Sequence, residues 1–503
     1  MKIVEFPRRI WQPAFALMIA SVALVSPVVG AEPLVSEVSL VGSGAFLNGN
    51  DDQFRARHGV PPDLIGGVED LYMEWLWGDA GTIRLDGHGI VDANDYLARV
   101  RFEQPDKGYV SAGYREFRTW YDGTGGFFPQ NAAMFSYFDE DLRLDRGESW
   151  MEAGLRTPDI PELTFRYTHL SRDGQKNALA WGDTNLTGGF GARSIVPAFW
   201  NIDEKRDRLN IDIAHTLAST RVGAGFIYET STIENSRNIR RNPDEPSDRY
   251  VTQSDDVDSD LYSGHAYATR PFLDERVIMS TSYSYSSLDN RLGGSRIYGT
   301  EFDATYDPVY SGRQPFDTGF LDLDGSTEID AHVGTVTLQG RPSDNLRATA
   351  GVRVERQDVS GASRFIATDV GFPPALPSTQ EPLAVKSDAD QLGFVQSFEL
   401  RYTGLSNWVL YTRGEWEQDD GELNERVLQT ATLATTLERG SDIDSTGQKY
   451  VAGATWYPLR RVNVGGRYWY QLRKFDFNNH LDSTDNAPPS TNRYPAYMTD
   501  QDI

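Results

Sequence analysis

Seven histidines and three acidic clusters are the groups in this chain whose types could do chemistry. The histidines are His58, His88, His169, His215, His265, His332 and His480, and no pair of them makes an HExxH or another close ligand spacing. Scattered strand histidines line lumens or interfacial girdles more often than they hold metals. The acidic clusters are Asn50-Asp51-Asp52, Asp255-Asp256-Val257-Asp258 and Asp419-Asp420-Gly421-Glu422. Their oxygens suit Ca²⁺, but none follows an EF-hand loop, and solvated loop acids are the simpler reading. No G-x-S-x-G, P-loop or dinucleotide fingerprint falls in a strand-to-helix setting. Gly188-Gly189-Phe190-Gly191 lies in an expected loop, where flexibility explains it. The chain has no cysteine. Disulfides, cysteine-ligated zinc, thiol catalysis and covalent c-type haem attachment are therefore excluded. The expectation is a non-enzyme with no catalytic, cofactor-binding or metal-ligating residues of its own.

A different constellation is periodic. In Leu346, Ala348, Ala350, Val352 and Val354 the apolar residues alternate with Arg347, Thr349, Gly351, Arg353 and Glu355. Successive strand side chains point to opposite faces, so one face is apolar and the other polar. The same reading puts Arg84, Asp86 and His88 on one face, as it does Arg99, Arg101 and Glu103, and sets Arg467 opposite the Tyr468 and Tyr470 stripe. The lumen-facing candidates are Arg84, Asp86, Arg99, Arg101, Arg347, Arg353, Glu355 and Arg467. Charges of both signs on such a face need water, mutual pairing or a polar guest. They disfavour a simple anion- or cation-selective pore without separating a water channel from a filled barrel.

The elements that carry these residues are hairpins. Early strands are expected near Val35–Phe46, Val68–Trp77, Thr82–Val91, Asp95–Glu103 and Tyr109–Tyr121. Tight turns follow near Thr157-Pro158-Asp159, Leu217-Ala218-Ser219, Pro271 to Asp274, Arg341 to Asp344, Gly404 to Asn407 and Pro458 to Arg461. Between them, Ser171–Glu204, Ser231–Asp256, Asn290–Ser326, Ser360–Ser387 and Gly421–Thr446 read as long polar loops. One end tight and the other long is the pattern of a transmembrane β-barrel, with short periplasmic turns and long extracellular loops. The fold class expected is all-β, a large antiparallel transmembrane β-barrel in meander order, with roughly 18–28 strands when complete.

Lys2, Arg8 and Arg9, the apolar run Ala14 to Val25 and the small residues Val29-Gly30-Ala31 make an export signal cleaved after Ala31. That run is short of the roughly 20 residues of a membrane-spanning helix. Residues 1–31 are thus expected as signal peptide and 32–503 as outer-membrane β-barrel. The mean hydropathy of −0.49 is no objection, because barrels hide their hydrophobicity in alternation. A net charge of −25 disfavours nucleic acid as a partner. About 17 strands are legible, whereas bacterial single-chain barrels have even numbers. Residues after Val462–Phe475 read as a loop with Pro488, Pro489 and Pro495. A chain lacking its last strands is the expectation.

Asn50-Asp51-Asp52-Gln53-Phe54-Arg55 after a glycine-bearing first strand (Gly42, Gly44), followed by Gly59 and Gly66-Gly67, resembles the opening of the MtrB/PioB family. Lys107 to Tyr114, then Trp120-Tyr121-Asp122, is similar to that family's early hairpin, and Asn492 to Tyr497 to a segment before its last hairpins. The resemblance implies an outer-membrane barrel that sheathes a periplasmic multihaem c-type cytochrome, with an extracellular cytochrome as a further partner and lipid around it. Haem would then belong to the partner, and electrons would cross through it. Some members carry an N-terminal cysteine pair that this chain lacks. The alternative is a general diffusion porin for small polar solutes.

Overall fold

The computed structural model describes residues 34–128, 133–135, 137, 141–183, 193–239, 251–298, 318–369, 379–482 and 501–502. The expected signal peptide, Gly188 to Gly191 and Asn492 to Tyr497 lie outside them. The strands are β1 (Val35–Gly44), β2 (Leu64–Trp77), β3 (Gly81–Ile90), β4 (Asp95–Gln104), β5 (Gly108–Trp120), β6 (Gly126–Phe128), β7 (Ala133–Phe135), β8 (Arg143–Leu155), β9 (Glu162–Asp183), β10 (Arg193–Leu217) and β11 (Thr220–Ile239). There follow β12 (Val251–Phe272), β13 (Val277–Tyr298), β14 (Thr318–Ser343), β15 (Leu346–Asp369), β16 (Thr379–Tyr402), β17 (Trp408–Gln429), β18 (Thr435–Leu459), β19 (Val462–Asp482) and the two-residue β20 (Gln501–Asp502). Helix α1 (Asp51–His58) lies between β1 and β2. No described helix is long and apolar enough to cross a membrane, which says nothing of strands.

Seventeen long strands, joined by β20, form one sheet in which every neighbour is antiparallel and, apart from the β6–β7 hairpin set between β5 and β8, next in sequence. This is the all-β meander wall of a β-barrel. Among the described residues, β1 pairs only with β2, and β19 with β18 and with β20 at Lys474 and Phe475. The two outer strands are not paired with each other.

The expected tight turns fall at or beside strand ends, most of them at or within a few residues of a proline, glycine or asparagine. The link between β10 and β11 is only Ala218-Ser219, with Ala218 in the left-handed region at φ 54°. The far ends differ from expectation. Among the described residues, segments read as loops are largely strand: β9 runs on to Asp183, β15 to Asp369, and β17 and β18 are joined through residues 430–434 alone. The expected loop Gly421–Thr446 is therefore mostly paired backbone. The reason is that a hydrogen-bonded ladder does not need alternating hydrophobicity; polar side chains on both faces are tolerated wherever both faces meet water. By the same token residues 476–482, read as loop, extend β19.

Helix α1 was not foreseen. Its caps were visible: the Asn50 side chain accepts from the Gln53 amide at 2.8 Å, and Gly59, at φ 73°, donates its amide to the Arg55 carbonyl at 2.8 Å. Arg55 docks the helix. It pairs with Asp52, reaches Asp141 at 2.9 Å and lies 5.0 Å above the Trp120 ring. The Asn50-Asp51-Asp52 cluster is thus a helix start.

Candidate functional site: the two faces of the wall

Register carries the two faces across the whole sheet. One apolar row passes through Trp75, Ile83, Phe102, Val110, Ala153, Phe165, Ile211 and Phe226 on β2 to β11. Another passes through Met279, Leu338, Ala350, Phe398, Gly414, Tyr450 and Tyr470 on β13 to β19. On the long strands the apolar stretch sits beside the tight turns. In β15 it covers Leu346 to Val354 and stops at Arg356. Nine strand residues match the ~9–11 that cross a bilayer in a barrel.

Tyrosine–aspartate pairs mark the far edge of this belt. Tyr167 donates to Asp207 at 2.5 Å, Tyr228 to Asp260 at 3.0 Å and Tyr285 to Asp330 at 2.7 Å. A ring with a wet tip suits an apolar–aqueous boundary. Beyond the belt, the same face carries Asp330, Asp358, Asp390, Glu422 and Asp442 directly opposite one another on β14 to β18.

The opposite face is polar, and the structure places all eight expected lumen residues on it. Arg84 lies across from Arg101, and Asp86 across from Arg99. Arg84 is 3.0 Å from Glu74, Arg99 is 2.9 Å from Asp86, Arg101 is 2.9 Å from Glu103, and Arg353 pairs with Glu355. Arg347 and Arg467 share a row through Arg401, Tyr411 and Gly453 near the tight turns, and have no ion-pair partner among the described residues.

Sequence reading missed the densest charge network. Arg166 lies 3.2 Å from Glu152 and 3.5 Å from Glu148, Arg172 is 2.6 Å from Glu204, and Arg206 is 3.3 Å from Glu229, which Arg208 also contacts. Much of it lies in or beside the segment read as a loop. The alternation Glu204, Arg206, Arg208 was the available signal.

Glycines on the polar face serve as seats for rings. A Cβ at Gly113 would fall within the Trp150 indole, at Gly154 within Tyr109, at Gly223 within Tyr267 and at Gly453 within Tyr411. Each pair sits directly across a strand boundary or beside it, so the missing side chain lets the ring lie flat along the wall.

The acidic clusters do not converge. Asp255 points away from Asp256 and Asp258, and Asp419 away from Asp420 and Glu422, because strand neighbours alternate. Both clusters are strand residues, not loop acids. No grouping of three or more His, Cys, Asp or Glu among the described residues could hold a metal ion.

No protein-family model matches the chain, and no curated protein matches it. Three solved structures are similar in strand arrangement. The ferric-catecholate import receptor Fiu of E. coli K12 aligns at TM-score 0.39 and 10% identity, over 87% of this chain and 79% of that one. The copper transporter OprC aligns at 0.33 and 9%, over 82% and 71%. BauA, the ferric preacinetobactin receptor of Acinetobacter baumannii, aligns at 0.30 and 9%, over 82% and 77%. At these scores nothing of their function passes to this chain.

Proposed function

We propose that the chain is an outer-membrane β-barrel whose apolar belt faces lipid and whose polar face encloses a protein guest, a periplasmic multihaem c-type cytochrome, so that the pair conducts electrons across the membrane. The observation that carries the barrel part is the register-locked separation of faces, with a belt about as deep as a bilayer core. The sheath part rests on the MtrB/PioB resemblance and on a polar face bearing both signs of charge, which offers pairing partners to a folded guest all along the wall. The chain supplies no redox centre; the guest's haems would do so. An extracellular cytochrome is a further partner in the same reading.

The competing reading, a diffusion porin, draws on the internal pairing of the same charges: a wall that satisfies itself needs no guest. A gentle purification from native membranes decides. The sheath carries haem absorbance and conducts ions poorly; a haem-free, stable and strongly conducting native barrel overturns the sheath and leaves the porin.

A further inference from the structure

On the polar face, where β5, β8, β9, β10 and β11 run side by side, a cavity of about 370 Å³ is lined by Arg115, Phe117, Arg146, Leu170, Arg172 and Ile233, among others. That volume is within the usual range of small-ligand sites, about 300–1,000 Å³. Its carboxylates are already engaged: Glu148 with Arg166, and Glu204 with Arg172 and the Asn235 amide at 3.0 Å. Arg115 and Arg146 are different. They lie 5.3 and 5.6 Å from the Phe117 ring, and neither has a carboxylate in ion-pair reach among the described residues. Among the described residues Arg146 donates only to the Thr119 hydroxyl, at 2.6 Å. Arg172 Nε is buried with no hydrogen-bond partner. Two guanidinium forks are thus held beside one aromatic ring, with Leu170 and Ile233 close by.

We propose that this cavity is a carboxylate-binding site, taking a carboxylate joined to an apolar or aromatic body. A guanidinium fork matches a carboxylate in a bidentate pair, while Phe117, Leu170 and Ile233 receive the body. The carboxylate comes either from a small organic acid or from the surface of a protein filling the lumen. The site holds for an open or a filled barrel, so its failure would leave the sheath reading standing.

Benzoate is the probe, with benzyl alcohol as its uncharged counterpart. Titration calorimetry on the detergent-purified chain is expected to give saturable benzoate binding. That binding weakens about tenfold or more in Arg115→Gln or Arg146→Gln, and to a lesser degree in Arg115→Lys, which keeps the charge but not the fork. Arg353→Gln, elsewhere on the same face, leaves it unchanged. On the unaltered protein, benzoate should slow phenylglyoxal modification of Arg115 and Arg146, a readout that needs no variant. Binding only after high salt has stripped a native preparation assigns the carboxylate to a protein guest, and binding without stripping assigns it to a small acid. Absence of saturable benzoate binding in both preparations, equal affinity for benzyl alcohol, or unaltered affinity in both glutamine variants overturns the site.

Discussion

The first five strands and the strands from β9 onward solve the same problem at two lengths. β1 to β5 have 10 to 14 residues, whereas β9 to β19 have 20 to 26. In the short region Leu71, Trp75, Ile83 and Leu85 pack into one buried cluster flanked by Val100 and Phe102. In the long region equivalent face positions stay open: Val352 is 41% exposed where Leu85 is 1%. The short strands are held by neighbouring side chains and by a docked helix. The long ones are held by the backbone ladder, and only the turn-proximal half carries an apolar belt. Strand length in this wall is therefore not set by the bilayer alone.

The sharpest way to break that comparison is topological. Leu433 sits in the 430–434 turn and Leu405 in the turn at the other end of β17, and both are exposed. Chymotrypsin added to intact cells should cleave after Leu433 and spare Leu405, as read by mass spectrometry; the reverse pattern inverts the wall. Next in size, Leu85→Ala should cost ~2–5 kcal/mol, because a packed cluster cannot collapse around the gap. Val352→Ala should cost much less by urea unfolding in lipid, since Val352 is already exposed. Equal losses would dissolve the distinction between the regions. Val352→Arg is expected to cost ~2–4 kcal/mol if the residue lies near the midplane, against little change for Thr349→Arg on the polar face. Gly113→Ala should cost ~1–3 kcal/mol by displacing Trp150, while Gly334→Ala, whose new methyl meets nothing, stays near neutral. Smallest, Asn50→Ala should remove ~1 kcal/mol from α1, visible as faster amide exchange of Gln53 with no change in the belt.

How much could be read beforehand follows the same division. The early strands were legible to within a few residues, because Leu71, Met73 and Trp75 or Ala98, Val100 and Phe102 alternate with polar neighbours and one face of each is apolar. Tight turns were legible because their residues punctuate the chain. The outer halves of the long strands were not. From Arg356 to Asp369 both faces of β15 carry polar and small residues together with Val359, Phe365 and Ile366, so there is no period of two to detect. The eight polar-face residues came from alternation and share the face that alternation implies. The Arg166, Arg172, Glu204 and Glu229 network was missed because two of its elements cross a segment that looked like a loop. Helix α1 escaped because its eight residues, apolar only at Phe54 and Ala56, offer no apolar stripe, though its asparagine and glycine caps were plain.

The opposed carboxylates of the outer half have a material consequence. Asp330, Asp358, Asp390, Glu422 and Asp442 stand on adjacent strands, about 4.8 Å apart at the backbone, well inside a Debye length of about 8 Å in physiological salt. Like charges directly opposite one another weaken a strand pair. Arg356 offsets one of them, at 2.9 Å from Asp358. The outer wall is thus a paired ladder bearing a row of fixed like charges above an apolar hoop. That ladder is expected to loosen in fresh water, where the repulsion is unscreened, and to tighten in brine, while the apolar hoop beneath it responds little to salt.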